Sequence, residues 1–354
     1  MADIAHTVPA IITARDGSTF GFERPGLQIT QFDSGPMRSR DWLGYNLRTY
    51  DLDPSLWQSS TTALEEWSAF WHHIGGGSEV GYIVEPTSET HRDLICGGLG
   101  DGSQTTFPIP VMAPASVTVF VDGAPQESSA YTVHPVSNLL DDAAAIGADA
   151  DEYTTSNGTD SAVTGVSFDG LSCIKVVPDG GAVPITYTSD FGTVTVGESY
   201  TAVSACLATA ASAQNYRATI SWYTAANAYL SIAAGSNVSV SAGAWMAISG
   251  TLTSPATAAR ARVGCQRNDA TGTDSYYADC FAVCPGDYTR WHLPSQAPGL
   301  VEFAAAPAAG ARITATATGK RVSRCRFEPG SSWRVSSAGH AASRSIRAVE
   351  VIEV

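Results

Sequence analysis

The chain lacks the patterns by which a sequence most readily declares its chemistry. It has no Gly-x-Ser-x-Gly elbow, no His-Glu-x-x-His pair and no P-loop; Gly319-Lys320 is followed by Arg321, where a phosphate cradle needs Ser or Thr. Asp149-Ala150-Asp151 lacks the glycine that an EF-hand loop requires at its sixth position. The seven cysteines include no Cys-x-x-Cys, which removes zinc-ribbon and dithiol redox motifs and leaves them as small buried hydrophobes in a reducing compartment. Positive charge is scarce: 20 Lys and Arg against 34 Asp and Glu give a net charge of -14, which argues against nucleic acid as a partner. No apolar run approaches the ~18 residues of a membrane span. The N-terminal MADIAHTVPA has no basic stretch followed by an apolar one, so no signal peptide is expected. These absences predict a soluble protein made in a cytosol, not an enzyme, with no membrane insertion.

What is present reads as β-structure. Asp101-Gly102 and Asp122-Gly123 are turn pairs, and between them Val117, Val119 and Val121 alternate with Thr118 and Phe120 as in a strand with one buried face. Tyr131-Thr132-Val133 starts a further strand whose partner does not follow. A matching strand stands at GLVEF (299–303), ahead of an Ala-Pro-Ala-Ala-Gly turn and another strand. This order predicts a domain of residues 1–134 plus 298–354 interrupted by an inserted one, 135–297. One helix is expected over residues 62–74, with Thr62 and Glu65 as a capping box and Leu64, Trp67, Trp71 and Ile74 on one face. His72 and His73 diverge by about 100° on such a helix and do not form a metal pair. Charge is uneven: residues 298–354 hold 8 basic and 4 acidic residues, against a strongly acidic remainder. Arg38 and Arg40 alternate along a strand, as do Arg324 and Arg326, so each pair points one way. They are candidates for an oligomer interface, or else for local pairing with carboxylates.

With residues 135–297 set aside, Gly100-Asp101-Gly102, Val121-Asp122-Gly123, Gly299–Phe303, the Ala306–Ala315 hairpin and Glu350-Val351 together resemble the distal tail proteins of long-tailed bacteriophages and gene transfer agents. The resemblance implies a split β-sandwich or barrel that forms a ring, a homohexamer joining tail tube protein to baseplate hub protein. It places the chain at the tail tip or baseplate of a siphovirus virion, assembled in the host cytoplasm.

The 135–297 segment carries seven strand-like runs separated by turn signals, the pattern of a two-sheet β-sandwich or jelly roll. Asn138-Leu139-Leu140, Gly170–Val176, Ser199–Ala205, Trp222-Tyr223, Gly243-Ala244-Trp245 and Tyr276–Asp279 resemble jelly-roll, galactose-binding-like carbohydrate-binding modules. That likeness implies a binder of host cell-surface polysaccharide. It also makes Asp279 a candidate ligand of a structural calcium, although one carboxylate is far from six to eight oxygens. Sugars lay their C–H faces on exposed aromatic rings, and consecutive Trp222 and Tyr223 must point to opposite faces of a strand. Trp222 and Trp245 match core positions; Tyr216, Tyr223, Tyr229 and Trp291 are the candidates for a carbohydrate-binding surface. The alternative function is a glycan- or peptidoglycan-degrading enzyme carrying such a module.

Overall fold

Parity along one strand sets the architecture. In Gln214–Tyr223 the side chains of Tyr216, Ala218, Ile220 and Trp222 are buried, while Arg217 and Tyr223 on the other face are half-buried. A run rich in β-branched and aromatic residues with this period is a strand with one face in a core. The computed structural model describes residues 3–4, 6–7, 19–23, 27–30, 38–41, 47–52, 80–140, 153–168, 172–210, 213–269, 273–288, 290–291, 298–327, 333–335, 341–343 and 346–350. Among them every regular element is a strand. The expected helix over 62–74, with His72 and His73, lies outside the described residues. No helix among the described residues is long and apolar enough to cross a membrane.

The chain divides into two compact units, residues 1–7 with 87–321 and residues 8–86 with 322–354. In the first unit, two antiparallel sheets stack as a sandwich. One has the order Tyr153–Ser156, Ile185–Thr188, Arg260–Arg267, Gln214–Tyr223, Tyr229–Ala234, and the short strands Gly192–Thr193 and Val238–Val240 bring it to seven. The other has five, in the order Gly158–Thr164, Ser172–Pro178, Tyr276–Pro285, Ser199–Ala208, Trp245–Thr253. Trp222, Tyr216, Tyr276, Ile220, Val263 and Phe281 fill the layer between them. Asn138 fastens the entry to this sandwich: its Oδ1 accepts the Leu140 and Val283 amides (3.1 and 3.0 Å) and its Nδ2 donates to the Phe281 carbonyl (3.2 Å).

The same unit contains a third antiparallel sheet. Tyr131–His134 pairs with Pro298–Phe303, Tyr131 opposite Phe303 and His134 opposite Leu300. Both strands that flank the 304–311 turn pair with Thr106–Val121. The sequence suggested a hairpin of these two strands, and here the structure differs: Thr106–Val121 lies between Pro298–Phe303 and Arg312–Phe327. An eight-residue connection is long enough to cross over a strand, which a two-residue turn is not. Asp122-Gly123 is such a two-residue turn, with φ of 51° and 79°, and the Asp122 carboxylate caps the Arg312 amide at 2.8 Å. Phe107, Ile109, Val111, Val301, Phe303 and Ile313 form its core.

The second unit pairs Thr19–Glu23 with Leu47–Leu52, which in turn pairs with Ile346–Glu350; that strand pairs with the end of Arg312–Phe327. Leu27–Thr30 pairs with Arg38–Asp41.

All seven cysteines are buried and none is in a disulfide. Burial pushes the Cys96 and Cys173 thiols up to about 12, the Asp279 charge adding to the effect at Cys173, and raises Cys284 as well. The thiolate is the reactive form. A thiol reagent at about pH 8 is therefore expected to label none of these cysteines in the folded protein and all of them after denaturation. Rapid labelling of the native chain, read by mass spectrometry, would contradict the buried assignment.

Candidate functional site

The two outer faces of the sandwich differ in chemistry. The outer face of the five-stranded sheet is apolar and covered: Val203, Ala205, Cys280, Ala282 and Cys284 are fully buried in a cluster that includes Tyr288 and Leu300. The outer face of the seven-stranded sheet carries polar and aromatic side chains instead. Its register sets Arg262 opposite Ser221 and Arg260 opposite Tyr223, on the face turned away from Trp222.

Four rings and two guanidiniums meet there. Phe191 and Tyr223 stand edge to face at 4.9 Å between centroids, and Tyr223 and Tyr229 at 5.7 Å. The Arg262 guanidinium lies 4.2 Å from the Phe191 centroid, 5.4 Å from Tyr223 and 5.7 Å from Tyr187. Arg260 approaches Phe191 at 5.7 Å and donates to Asn227 Oδ1 at 3.0 Å. Burial raises the Tyr223 phenol, and Arg262 opposes that shift. Tyr229 at the rim is 58% exposed and Ile232 is 41% exposed. The floor is made of small residues, Thr219, Ser221 and Gly264, all buried. A Cβ at Gly264 would come within 2.7 Å of Thr219 Oγ1, so the floor is at its packing limit.

The expected site residues separate accordingly. Tyr223 and Tyr229 share this cluster. Tyr216 does not belong to any surface: it is fully buried, stacked edge to face on Tyr276 at 5.3 Å, and its hydroxyl donates to Gln214 Oε1 at 2.7 Å. The reason is parity, since Tyr216 lies six residues before Trp222 and therefore on the core side. Trp222 is buried as expected; Trp245 is half-buried against Phe168, 5.9 Å between centroids, on the covered face of the other sheet. Trp291 pairs through its backbone with Ile4 in a two-residue parallel ladder. Arg38 and Arg40 sit in the strand paired with Leu27–Thr30, and Arg326 pairs with Val349; their side chains lie outside the described residues, as does that of Arg324. Phe191, Tyr187, Arg260 and Arg262 complete the cluster without having been singled out in the sequence. The signal available for the arginines was their alternation in Arg260-Ala261-Arg262.

Asp279 is fully buried and its donor set does not fit calcium. Its Oδ2 accepts the Phe168 amide at 2.9 Å and its Oδ1 accepts the Cys280 amide at 2.8 Å. Cys280 has a φ of 53°, and the pairing with Ser199–Ala208 slips there, Val203 opposite Ala282 but Ala205 opposite Asp279. The carboxylate thus holds a β-bulge in a conformation that costs a non-glycine residue about 1 kcal/mol or more. No cluster of three or more His, Cys, Asp or Glu that could hold a metal occurs among the described residues. Asp279→Ala is expected to lose about 1–3 kcal/mol, the cost of orphaned buried donors, while calcium or a chelator leaves the melting temperature of the parent unchanged. A calcium-dependent rise would overturn this role.

A second concavity of about 530 Å³ is lined by His134, Glu198, Tyr200, Glu302 and neighbours, with His134 Nε2 and Glu302 Oε2 at 2.8 Å.

No family model matches the chain, and no curated protein does. Solved structures of similar fold exist for part of it. One comprises the family 22 carbohydrate-binding and GH10 modules of Clostridium thermocellum endo-1,4-β-D-xylanase 10B with xylohexaose: 15% identity, TM-score 0.36, 43% of this chain and 29% of that one. The chain thus spans under a third of that xylanase structure. Another is the family 22 xylan-binding domain of Paenibacillus barcinonensis Xyn10C, at 12% identity and TM-score 0.33, covering 41% of this chain and 98% of the domain. The enzymatically active domain of bacteriophage CBA120 tailspike protein 4 is similar at 12% identity and TM-score 0.32, over 42% of this chain and 21% of that one.

Proposed function

We propose that this chain is a saccharide-binding structural protein whose ligand lies on the outer face of the seven-stranded sheet. One observation carries the reading: Phe191, Tyr223 and Tyr229 converge on the sandwich face that is not covered by apolar packing. Such rings offer flat apolar area for sugar C–H faces, while Asn227, Ser221 and the arginines supply hydrogen-bond groups at the edges. Affinity electrophoresis of the full chain in gels containing cell-surface polysaccharides tests it; unchanged mobility throughout a broad panel would count against it.

The finer reading is a distal-tail-like protein, a homohexameric ring between tail tube and baseplate hub in which residues 135–297 form an inserted module for host adsorption. The ordered Gly-Asp-Gly and Val-Asp-Gly motifs support it, as does the Tyr131–Phe303 pairing on either side of that segment. Six weak sites on a ring would bind a polymer by avidity. Light scattering of the purified chain, followed by electron microscopy, tests the ring. Reversing the charge of Arg324 and Arg326 is expected to weaken it, and an unaltered oligomer would remove them from the interface. In this reading the chain binds without cleaving. Reducing-sugar release, abolished by Glu198→Gln or Glu302→Gln in the second concavity, would replace it with the hydrolase reading.

A further inference from the structure

Resting on the saccharide reading, we infer that the ligand of this face is an anionic saccharide, one whose units carry carboxylate or phosphodiester groups. The inference starts from an imbalance of charge. No strand of the seven-stranded sheet contains an Asp or Glu, in a chain with 34 of them. The same strands contain Arg217, Arg260, Arg262 and Arg267. Arg267 is buried, with its Nη1 donating to the Asp274 carbonyl at 2.8 Å. The other three point to the outer face, and among the described residues none of them meets a carboxylate. Arg217 Nε donates to Gln266 Oε1 at 2.5 Å, Arg260 to Asn227, and Arg262 rests on rings.

Arg262 is the centre of this arrangement. Its guanidinium stacks on Phe191, with Tyr223 and Tyr187 close by, and its buried Nε has no hydrogen-bond partner. Stacking fixes the plane of the group; one of its hydrogen bonds goes to the Tyr223 hydroxyl, and its remaining donors are left for a ligand. A planar fork held this way matches carboxylate or phosphate oxygens bidentately. In an acidic protein three arginines without carboxylates on one aromatic face constitute a local field that favours an anion. The rings contribute what a free phosphate or an acidic peptide would not use: flat apolar area beside hydroxyl-bearing floor residues.

The test uses the full chain and four probes in affinity electrophoresis or calorimetry: polygalacturonate, its fully methyl-esterified form, a wall teichoic acid and poly-glutamate. The expected result is binding to polygalacturonate or teichoic acid at least about tenfold tighter than to the neutral ester, weakening as salt rises. The member preferred tells whether carboxylate or phosphodiester is the anion. Arg262→Gln is expected to remove most of that preference, so that acid and ester bind alike. Arg260→Gln, at a half-buried position on the rim, should do the same in part, and serves if the first variant fails to fold. Equal affinity for acid and ester, or poly-glutamate competing as well as the saccharide, would overturn the inference and leave saccharide binding standing. Binding to none of the four, together with a silent polysaccharide panel, would sink both.

Discussion

Replacing Trp222 with alanine is expected to destabilise the sandwich by about 3–5 kcal/mol, the range for deleting a large aromatic side chain from a core. Trp222 is 1% exposed, faces the layer between the two sheets and stands edge to face with Tyr200 at 6.1 Å between centroids. The neighbouring backbone is held in both sheet ladders, so collapse into the void is limited and the cavity term stays large. For a unit of this size the loss corresponds to a melting transition roughly 10 °C lower. Differential scanning calorimetry with a denaturant titration checks it. Trp245→Ala, at a half-buried position beside Phe168, is the comparison and should cost clearly less. Equal losses would mean that Trp222 is not the central element of this core.

Tyr229→Ala should show the opposite behaviour. The side chain is 58% exposed, so its removal should leave stability within about 0.5 kcal/mol. Its ring forms the outer end of the Phe191–Tyr223–Tyr229 row. Binding hot spots of this type contribute about 1–2 kcal/mol or more, so saccharide affinity should fall about tenfold or further. Tyr223→Ala should lose at least as much, because Tyr223 touches both other rings and Arg262. Tyr216→Phe supplies the control: it removes a buried hydroxyl bonded to Gln214, lowering stability slightly and leaving binding unchanged. Affinity that falls with Tyr216 and not with Tyr229 would place the ligand elsewhere.

The strands legible in the sequence were those with apolar alternation. All seven runs read from residues 170 to 287 are strands, from Ser172–Pro178 to Tyr276–Pro285. Tyr153–Ser156, Gly158–Thr164 and Ile185–Thr188 were not legible. YTTS and GTDSAVT are nearly all small and polar; GTDSAVT becomes a strand by pairing with Ser172–Pro178, which carries the hydrophobic signal, and YTTS by pairing with Ile185–Thr188, itself held by Arg260–Arg267. Opposite orientations for Trp222 and Tyr223 followed from period 2 alone. The same period, counted back to Tyr216, would have placed that ring in the core. The cluster itself depends on cross-strand register, Arg260 opposite Tyr223 and Arg262 opposite Ser221, and on Phe191, which follows Ile185–Thr188 in a connection. Register between strands nearly 40 residues apart leaves no periodic trace in one chain. The bulge at Cys280 was equally hidden; Asp279 read as a calcium candidate from the resemblance to carbohydrate-binding modules.

The Tyr131–His134 strand has one ladder partner among the described residues, and that partner is made late: His134 and Glu302 are 168 positions apart. At ribosomal rates of about 5–20 residues per second, the early strand waits roughly 10–30 s for its mate. Every strand of the sandwich finds its neighbours within the intervening stretch, so that body can close while the third sheet still lacks an edge. Folding of this unit can therefore run from the middle outward. A chain truncated before Pro298 and released would carry a finished sandwich beside a naked β-edge, the species most exposed to wrong pairing and to chaperones.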